Sequence, residues 1–186
     1  MHVWNNSSAP VDLADLEGRV CYGGLDLSSS TDITAFVLVF PPLDETDKYV
    51  ILPFFWIPED NIALRVRRDH VNYDLWEKQG FLLTTEGNVV HYGFIETFIE
   101  QLGKVYNIRE IAFDRWGAVQ MTQNLEGLGF TVVPFGQGYK DMSPPTKELL
   151  KLTLEGKLAH GGHRPQQQQH AAETQAHPTG DRQGWE

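Results

Sequence analysis

Apolar and polar positions along the chain follow two rhythms, one close to every second residue and one close to helical spacing, and they alternate in blocks. Residues 20–28 read as a strand that runs into a Ser-rich turn, Ser28 to Thr31. Ile33 to Phe40 is rich in β-branched and aromatic residues and stops at Pro41-Pro42, which predicts a second strand. Tyr49 to Ile57 predicts a third, closed by Pro58. Short connections between these runs predict an antiparallel meander with Asp26 near its first corner.

The second rhythm then takes over. Pro58-Glu59-Asp60 has the composition of a helix's first turn, with proline early and acids at the positive end. A helix or helix pair is predicted to about Lys78, ended by Gly80, followed by a short, extended, turn-rich stretch from Phe81 to Val90. Phe94, Ile95, Phe98, Leu102 and Val105 recur at helical spacing. Ile108 to Phe113 reads as a buried strand that stops at Asp114. Val119, Leu125 and Leu128 mark a further helix, capped by Gly129 before a strand from Phe130 to Phe135. After Gly136 to Pro145, the leucines at 149, 150, 152 and 154 predict a last helix. Strands separated by helices require parallel pairing through right-handed crossovers. The predicted fold class is α/β: a mixed sheet, with an antiparallel three-strand meander plus two parallel strands and flanking helices.

Composition sets the limits of that body. The chain has 186 residues, 41% of them hydrophobic, enough for one core. No apolar run approaches the roughly 20 residues needed to cross a bilayer, and the start lacks a secretory layout. Cys21 is the single cysteine, so no internal disulfide is possible, and its strand-like setting predicts a buried, inert thiol. Residues 1–17 read as an N-terminal linker or extension and 18–162 as the domain. Residues 163–186, rich in Gln, His, Ala, Thr and Gly with almost nothing apolar before Trp185, read as a disordered low-complexity tail.

The net charge of −10 disfavours a protein that coats DNA non-specifically. It permits an enzyme that gathers cations around acidic ligands. Arg19 and Lys48 are the only Lys or Arg before Arg65, in a segment crowded with acids. Arg65, Arg67 and Arg68 form one basic knot, read as a solvated helix face, and Lys140, Lys147, Lys151 and Lys157 form a second basic stretch.

The chemistry rests on two acids. Asp26 ends the first predicted strand and Asp114 the fourth. If those strands are parallel neighbours, both carboxylates face one pocket at the sheet edge, the usual ligand position in open α/β sheets. Close carboxylates repel unless one is protonated or a cation bridges them, and hard divalent ions such as Mg²⁺ or Mn²⁺ suit oxygen ligands. Such a pair of ions serves phosphodiester cleavage. Asp32, just past the Ser turn, could add a ligand or hold an outer water. From spacing alone an Asp at a strand end is more often a turn or cap residue, and Asp32 after Ser-Ser-Thr still more often. Arg115-Trp116 could touch phosphate or form an ion pair beside a packed ring.

Five segments in register carry a resemblance. Gly24 through Ala35 resembles the first nuclease motif of phage terminase large subunits, and Thr85 through Tyr92 is similar to a further signature. Ile108 through Ala118, Gln137 through Leu149, and Gly156 through Gly162 extend the likeness across residues 18 to 162. The resemblance implies a ribonuclease H-like fold and a metal-dependent endonuclease that cuts concatemeric double-stranded DNA during genome packaging in the host cytoplasm. It also implies portal protein and terminase small subunit as partners. Residue by residue, it makes Asp26 the first metal ligand, Asp114 the second and Asp32 an auxiliary acid. Arg115, Lys140 and Lys147 are the expected DNA contacts.

Three departures qualify those expectations. No phosphate-binding Gly-Lys-Ser/Thr loop is present, so this chain cannot power translocation, and it reads as truncated at both ends. Position 91 is His where the family usually has an acid. The family's third metal-binding Asp lies in a helix beyond the His-Gly-Gly segment, whereas this sequence leaves the pattern at His163. Among the late acids, Asp181 sits without an apolar face to dock it, beside Glu173 and Glu186. Weak or impaired activity is therefore expected. The rivals are a catalytically dead remnant or binding module, and a resolvase- or transposase-type nuclease.

Overall fold

The structure is a computed structural model that describes residues 2–28, 32–114 and 119–162. The strands are β1 (Val20–Asp26), β2 (Thr34–Phe40), β3 (Tyr49–Pro58), β4 (Leu83–Thr85), β5 (Asn107–Asp114), β6 (Val132–Phe135) and β7 (Leu158–Ala159). The helices are α1 (His2–Asn5), α2 (Ile62–Asp69), α3 (Tyr73–Lys78), α4 (Tyr92–Val105), α5 (Val119–Gly127) and α6 (Tyr139–Leu154). Strand order is β4-β3-β2-β1-β5-β6, with β7 also pairing with β3. β1, β2 and β3 form the expected antiparallel meander, and β5 and β6 continue it in parallel. Because β1, β3, β5 and β6 share one direction, their C-terminal ends lie along one edge of the sheet.

Strand periodicity divides the sheet into two unlike faces. Cys21, Leu25, Phe36, Leu38, Phe40, Leu52, Phe54, Trp56 and Ile111 point to one of them and are buried. On that face Ile95, Phe98, Ile99 and Leu102 of α4 and Met121 and Leu125 of α5 complete a single core. The Phe98 ring meets Phe54 and Trp56 edge to face, with centroids 5.0 Å and 5.1 Å apart. Gly23 belongs to this packing: a Cβ there would stand 2.9 Å from the Phe36 ring, inside contact distance. Cys21 is fully buried, as expected, and loss of hydration pushes its thiol up to about 12. The opposite face carries Tyr22, Gly24 and Asp26, then Ala35, Val37 and Val39, and it is far less covered.

Several elements depart from the sequence reading. The last helix begins at Tyr139, not near Leu149, and runs through Pro144 and Pro145. Gly138 opens it, with Asp141 N–H and Met142 N–H both donating to the Gly138 carbonyl. The prolines cannot donate to the carbonyls of Lys140 and Asp141, and the helix tolerates that loss because it buries none of its residues. The segment after Pro58 is a helix pair, within the sequence reading, divided at His70, whose left-handed φ of 55° ends α2. The short β4 and β7 also pair with β3, which the sequence did not signal.

Residues expected as an extension lie against the domain: Leu16 is in the core, and the Trp4 ring stacks on His160 at 4.4 Å. His160 Nε2 donates to the Trp4 carbonyl at 3.0 Å, and its backbone N–H donates to Ser7. The tail expected to be disordered, 163–186, lies outside the described residues.

Candidate metal centre and nucleic-acid interface

The last paired row between β1 and β5 joins Leu25 to Phe113, so Asp26 and Asp114 are the next residues on two adjacent, parallel strands. Leu25 and Phe113 face the core side, and alternation turns both acids to the open face. They line one cleft of about 440 Å³. Its floor is built of small side chains near the acids, Gly24, Ala35 and Ala112, with Val37 beyond them. Phe135, which pairs with Asp114 across β5 and β6, and Gln137 form one wall. Met142, Pro145, Thr146 and Leu149 of α6 form the roof.

Within α6 residues 142, 145, 146 and 149 recur one turn apart and share a helix face. The same geometry puts the expected DNA contacts elsewhere. Lys140 and Lys147 are exposed on α6, and at about 3.6 residues per turn they fall on the side away from the cleft. Arg115, the other expected contact, lies outside the described residues.

Asp32 does not line the cleft. Its Oδ1 accepts from the Ile33 N–H at 2.9 Å and from Arg65 Nη1 at 3.1 Å. Arg65 corrects the reading of the basic knot as a wholly solvated face, since it is 6% exposed while Arg67 and Arg68 are exposed. Its guanidinium also donates from Nε to Asp69 Oδ2 at 2.9 Å and from Nη2 to the Tyr73 hydroxyl at 3.3 Å. Part of the signal was present in sequence: positions 65 and 69 lie one turn apart on α2 and bring Arg and Asp together. Hydrogen bonds from Arg68, then from Arg65, hold the Asp69 carboxyl far below the usual carboxylate range.

The donor set at the cleft, two carboxylates over a low floor, fits a hard divalent cation in chemistry. Among the described residues, no group of three or more His, Cys, Asp or Glu side chains is arranged to hold an ion. Also among them, no helix is long and apolar enough to cross a membrane.

The sequence pattern of one protein family, "Terminase large subunit, endonuclease domain", matches residues 1–169. The chain belongs to that family. It is 38% identical over 149 residues to the terminase large subunit of Enterobacteria phage HK97, covering 78% of this chain and 29% of that protein. It is 28% identical over 156 residues to protein YmfN of Escherichia coli K12, covering 81% of this chain and 34% of YmfN. The crystal structure of the HK97 bacteriophage large terminase superposes with a TM-score of 0.76 at 34% identity, over 87% of this chain and 33% of that one. The large terminase nuclease from thermophilic phage G20c shares the fold at a TM-score of 0.50 and 12% identity, over 78% of this chain and 62% of that one. The mixed sheet is thus the ribonuclease H-like sheet of terminase nucleases. The chain spans about a third of the length of the HK97 and YmfN relatives.

Proposed function

We propose that the cleft between β1 and β5 is the metal-dependent endonuclease site of a phage packaging terminase, acting on double-stranded DNA in the host cytoplasm. The observation that carries this reading is the arrival of Asp26 and Asp114 in one cleft from adjacent parallel strand tips, in a chain of this family. The two carboxylates would hold Mg²⁺ or Mn²⁺, which relieves their mutual repulsion. A bound ion of that kind supplies the Lewis acidity that hydrolysis of a phosphodiester requires.

The rest falls to the chain's own residues. Asp26 and Asp114 bind and orient from rigid strand ends, and Gly24, Ala35 and Ala112 keep the floor low enough for a phosphate to approach. Phe135, Met142 and Leu149 give the opposite side an apolar lining. In the reaction itself, water adds at phosphorus and the bond to the leaving sugar oxygen breaks. Asp32 is left out of the inner ligands because its carboxylate is engaged by Arg65. Lys140 and Lys147 would meet only a duplex that runs over the outer side of α6. Arg115, outside the described residues, is kept as a proposed phosphate contact on the sequence pattern alone.

Among the described residues the cleft offers two carboxylates, fewer than a two-ion site ordinarily takes, and impaired cutting with these two alone is part of the proposal. The same shortage favours, as a second reading, a domain that folds and binds but does no chemistry. Calorimetric titration with Mn²⁺ of the native chain, Asp26→Asn and Asp114→Asn separates the two. A binding heat in the native chain that either substitution removes supports the metal site, and slow Mn²⁺-dependent nicking of plasmid DNA would make it an enzyme. Heat that persists unchanged in both variants rules the site out.

A further inference from the structure

Arg65 differs from its neighbours on α2. A buried guanidinium is costly to desolvate unless its donors are occupied, and this one is met by Asp69, Asp32 and the Tyr73 hydroxyl, with the Tyr73 ring 4.9 Å away. Asp69 and Tyr73 are local partners. Asp32 is not: it belongs to the connection between β1 and β2, 33 positions earlier in sequence, and its own side chain is 80% exposed.

That connection leaves directly from Asp26. At its near end the Ser28 N–H donates to Thr34 Oγ1 at 3.0 Å, and the Tyr92 hydroxyl donates to the Ser28 carbonyl at 3.0 Å. At its far end stands Asp32, tied to Arg65. Both ends are therefore anchored to side chains from other elements, α4 through Tyr92 and α2 through Arg65. Asp32 leads through Ile33 and Thr34 to Ala35, which pairs with Asp26, so freedom at Asp32 becomes freedom in the orientation of Asp26.

We infer that Arg65 is a positioning residue for the candidate cation site: through Asp32 it holds the connection after β1, and with it Asp26, in the geometry that binds the ion. This inference rests on the metal-site reading of the cleft. It reverses the role of Asp32, which touches the guanidinium and acts on the ion only through it.

The test uses the full chain, with Asp32→Asn, Arg65→Gln, the double variant, and Arg67→Gln as a control on the exposed side of the same helix. Mn²⁺ affinity is read by calorimetry. Amide hydrogen exchange at Ser28 and Ile33 is read without metal. The latch predicts that Asp32→Asn and Arg65→Gln each weaken Mn²⁺ binding about tenfold, as loss of an outer support does. The double variant should be no weaker than the worse single one, because both remove the same tie. Exchange at Ser28 and Ile33 should rise several-fold in each, and Arg67→Gln should change neither readout. Should Arg65→Gln fail to fold, the exposed Asp32→Asn decides alone.

Loss of all Mn²⁺ binding in Asp32→Asn, together with tighter binding in Arg65→Gln, would make Asp32 a ligand and overturn the latch. Unchanged exchange in Asp32→Asn overturns it as well. If the native chain binds no Mn²⁺, the metal-site reading fails and the positioning role fails with it. Exchange at Ser28 and Ile33 then shows separately whether the tie exists.

Discussion

The two faces of this sheet are built from the same strands and could hardly be less alike. On one, nine large side chains from β1, β2, β3 and β5 meet two amphipathic helices and leave almost no exposed apolar surface. On the other, Tyr22 is 45% exposed and Phe135 37%, and the helix above them, α6, buries none of its residues. The dry face fixes the strand positions and thereby the two carboxylates. The open face is where those carboxylates emerge, and loose cover there is what admits a substrate. Around the carboxylates, stability and chemistry lie on opposite sides of the sheet, while at the β3 end of the open face Ile57, Tyr73 and Leu82 form a second, smaller buried cluster.

The largest test of that division is on the dry side. Phe98 stands in contact with Phe54 and Trp56 and is 1% exposed, so Phe98→Ala leaves a cavity that its rigid surroundings cannot close. An expected loss of about 3–5 kcal/mol in urea unfolding would consume much of the stability of an ordinary domain. A loss under about 1 kcal/mol would mean that the dry face is not what holds the fold. Cys21 probes the same face without a packing change. With the thiol pushed up to about 12, its thiolate fraction at pH 8 is minute, and alkylation in the native protein should run on the order of a thousandfold slower than in urea. Labelling at comparable rates in both states would show that the face opens readily.

How much of this was readable in sequence follows the same division. β2, and β3 as far as Trp56, alternate buried and half-buried positions and were legible because each residue's environment depends on its own strand. The convergence of Asp26 and Asp114 was legible too, since strand ends and parallel order alone bring them to one edge. α6 was not. Pro144-Pro145 reads as a helix stop, and the cost that makes it one is a lost hydrogen bond, which an exposed helix can leave to solvent. Arg65 was misread because two of its partners, Asp32 and Tyr73, lie outside its own helix. The stacking of Trp4 on His160 was invisible for the same reason, with 156 positions between them. Local chemistry was predictable, and long-range pairings of polar side chains were not.

Charge rather than packing fastens the edge of the open face, and pH distinguishes the two. Arg68 and Arg65 hold the Asp69 carboxyl below its ordinary range. A carboxyl depressed on folding adds stability that is complete above its unfolded pKa, near 4, and that disappears as pH falls through the folded value. Urea midpoints measured from pH 6 down to pH 3 should therefore drop more steeply in the native chain than in Asp69→Asn. Parallel profiles would show that the Arg65–Asp69–Arg68 cluster contributes nothing to the folded state.

The smallest expected effect is the most telling about the open face. Leu150 and Leu154 of α6 are 59% and 63% exposed and lie one turn apart, off the cleft-lining stripe. If that side of α6 meets only water, Leu150→Lys with Leu154→Glu removes no buried contact, and the unfolding free energy should stay within about 0.5 kcal/mol. If the stripe is covered in solution, two charges placed in an apolar contact should cost well over 1 kcal/mol. Measurement at two protein concentrations identifies the cover. Cover by a second copy makes the native midpoint rise with concentration, because association draws on the folded state, while cover by the chain itself does not. A null effect at both concentrations leaves that side of α6 as it stands in the structure, apolar and exposed.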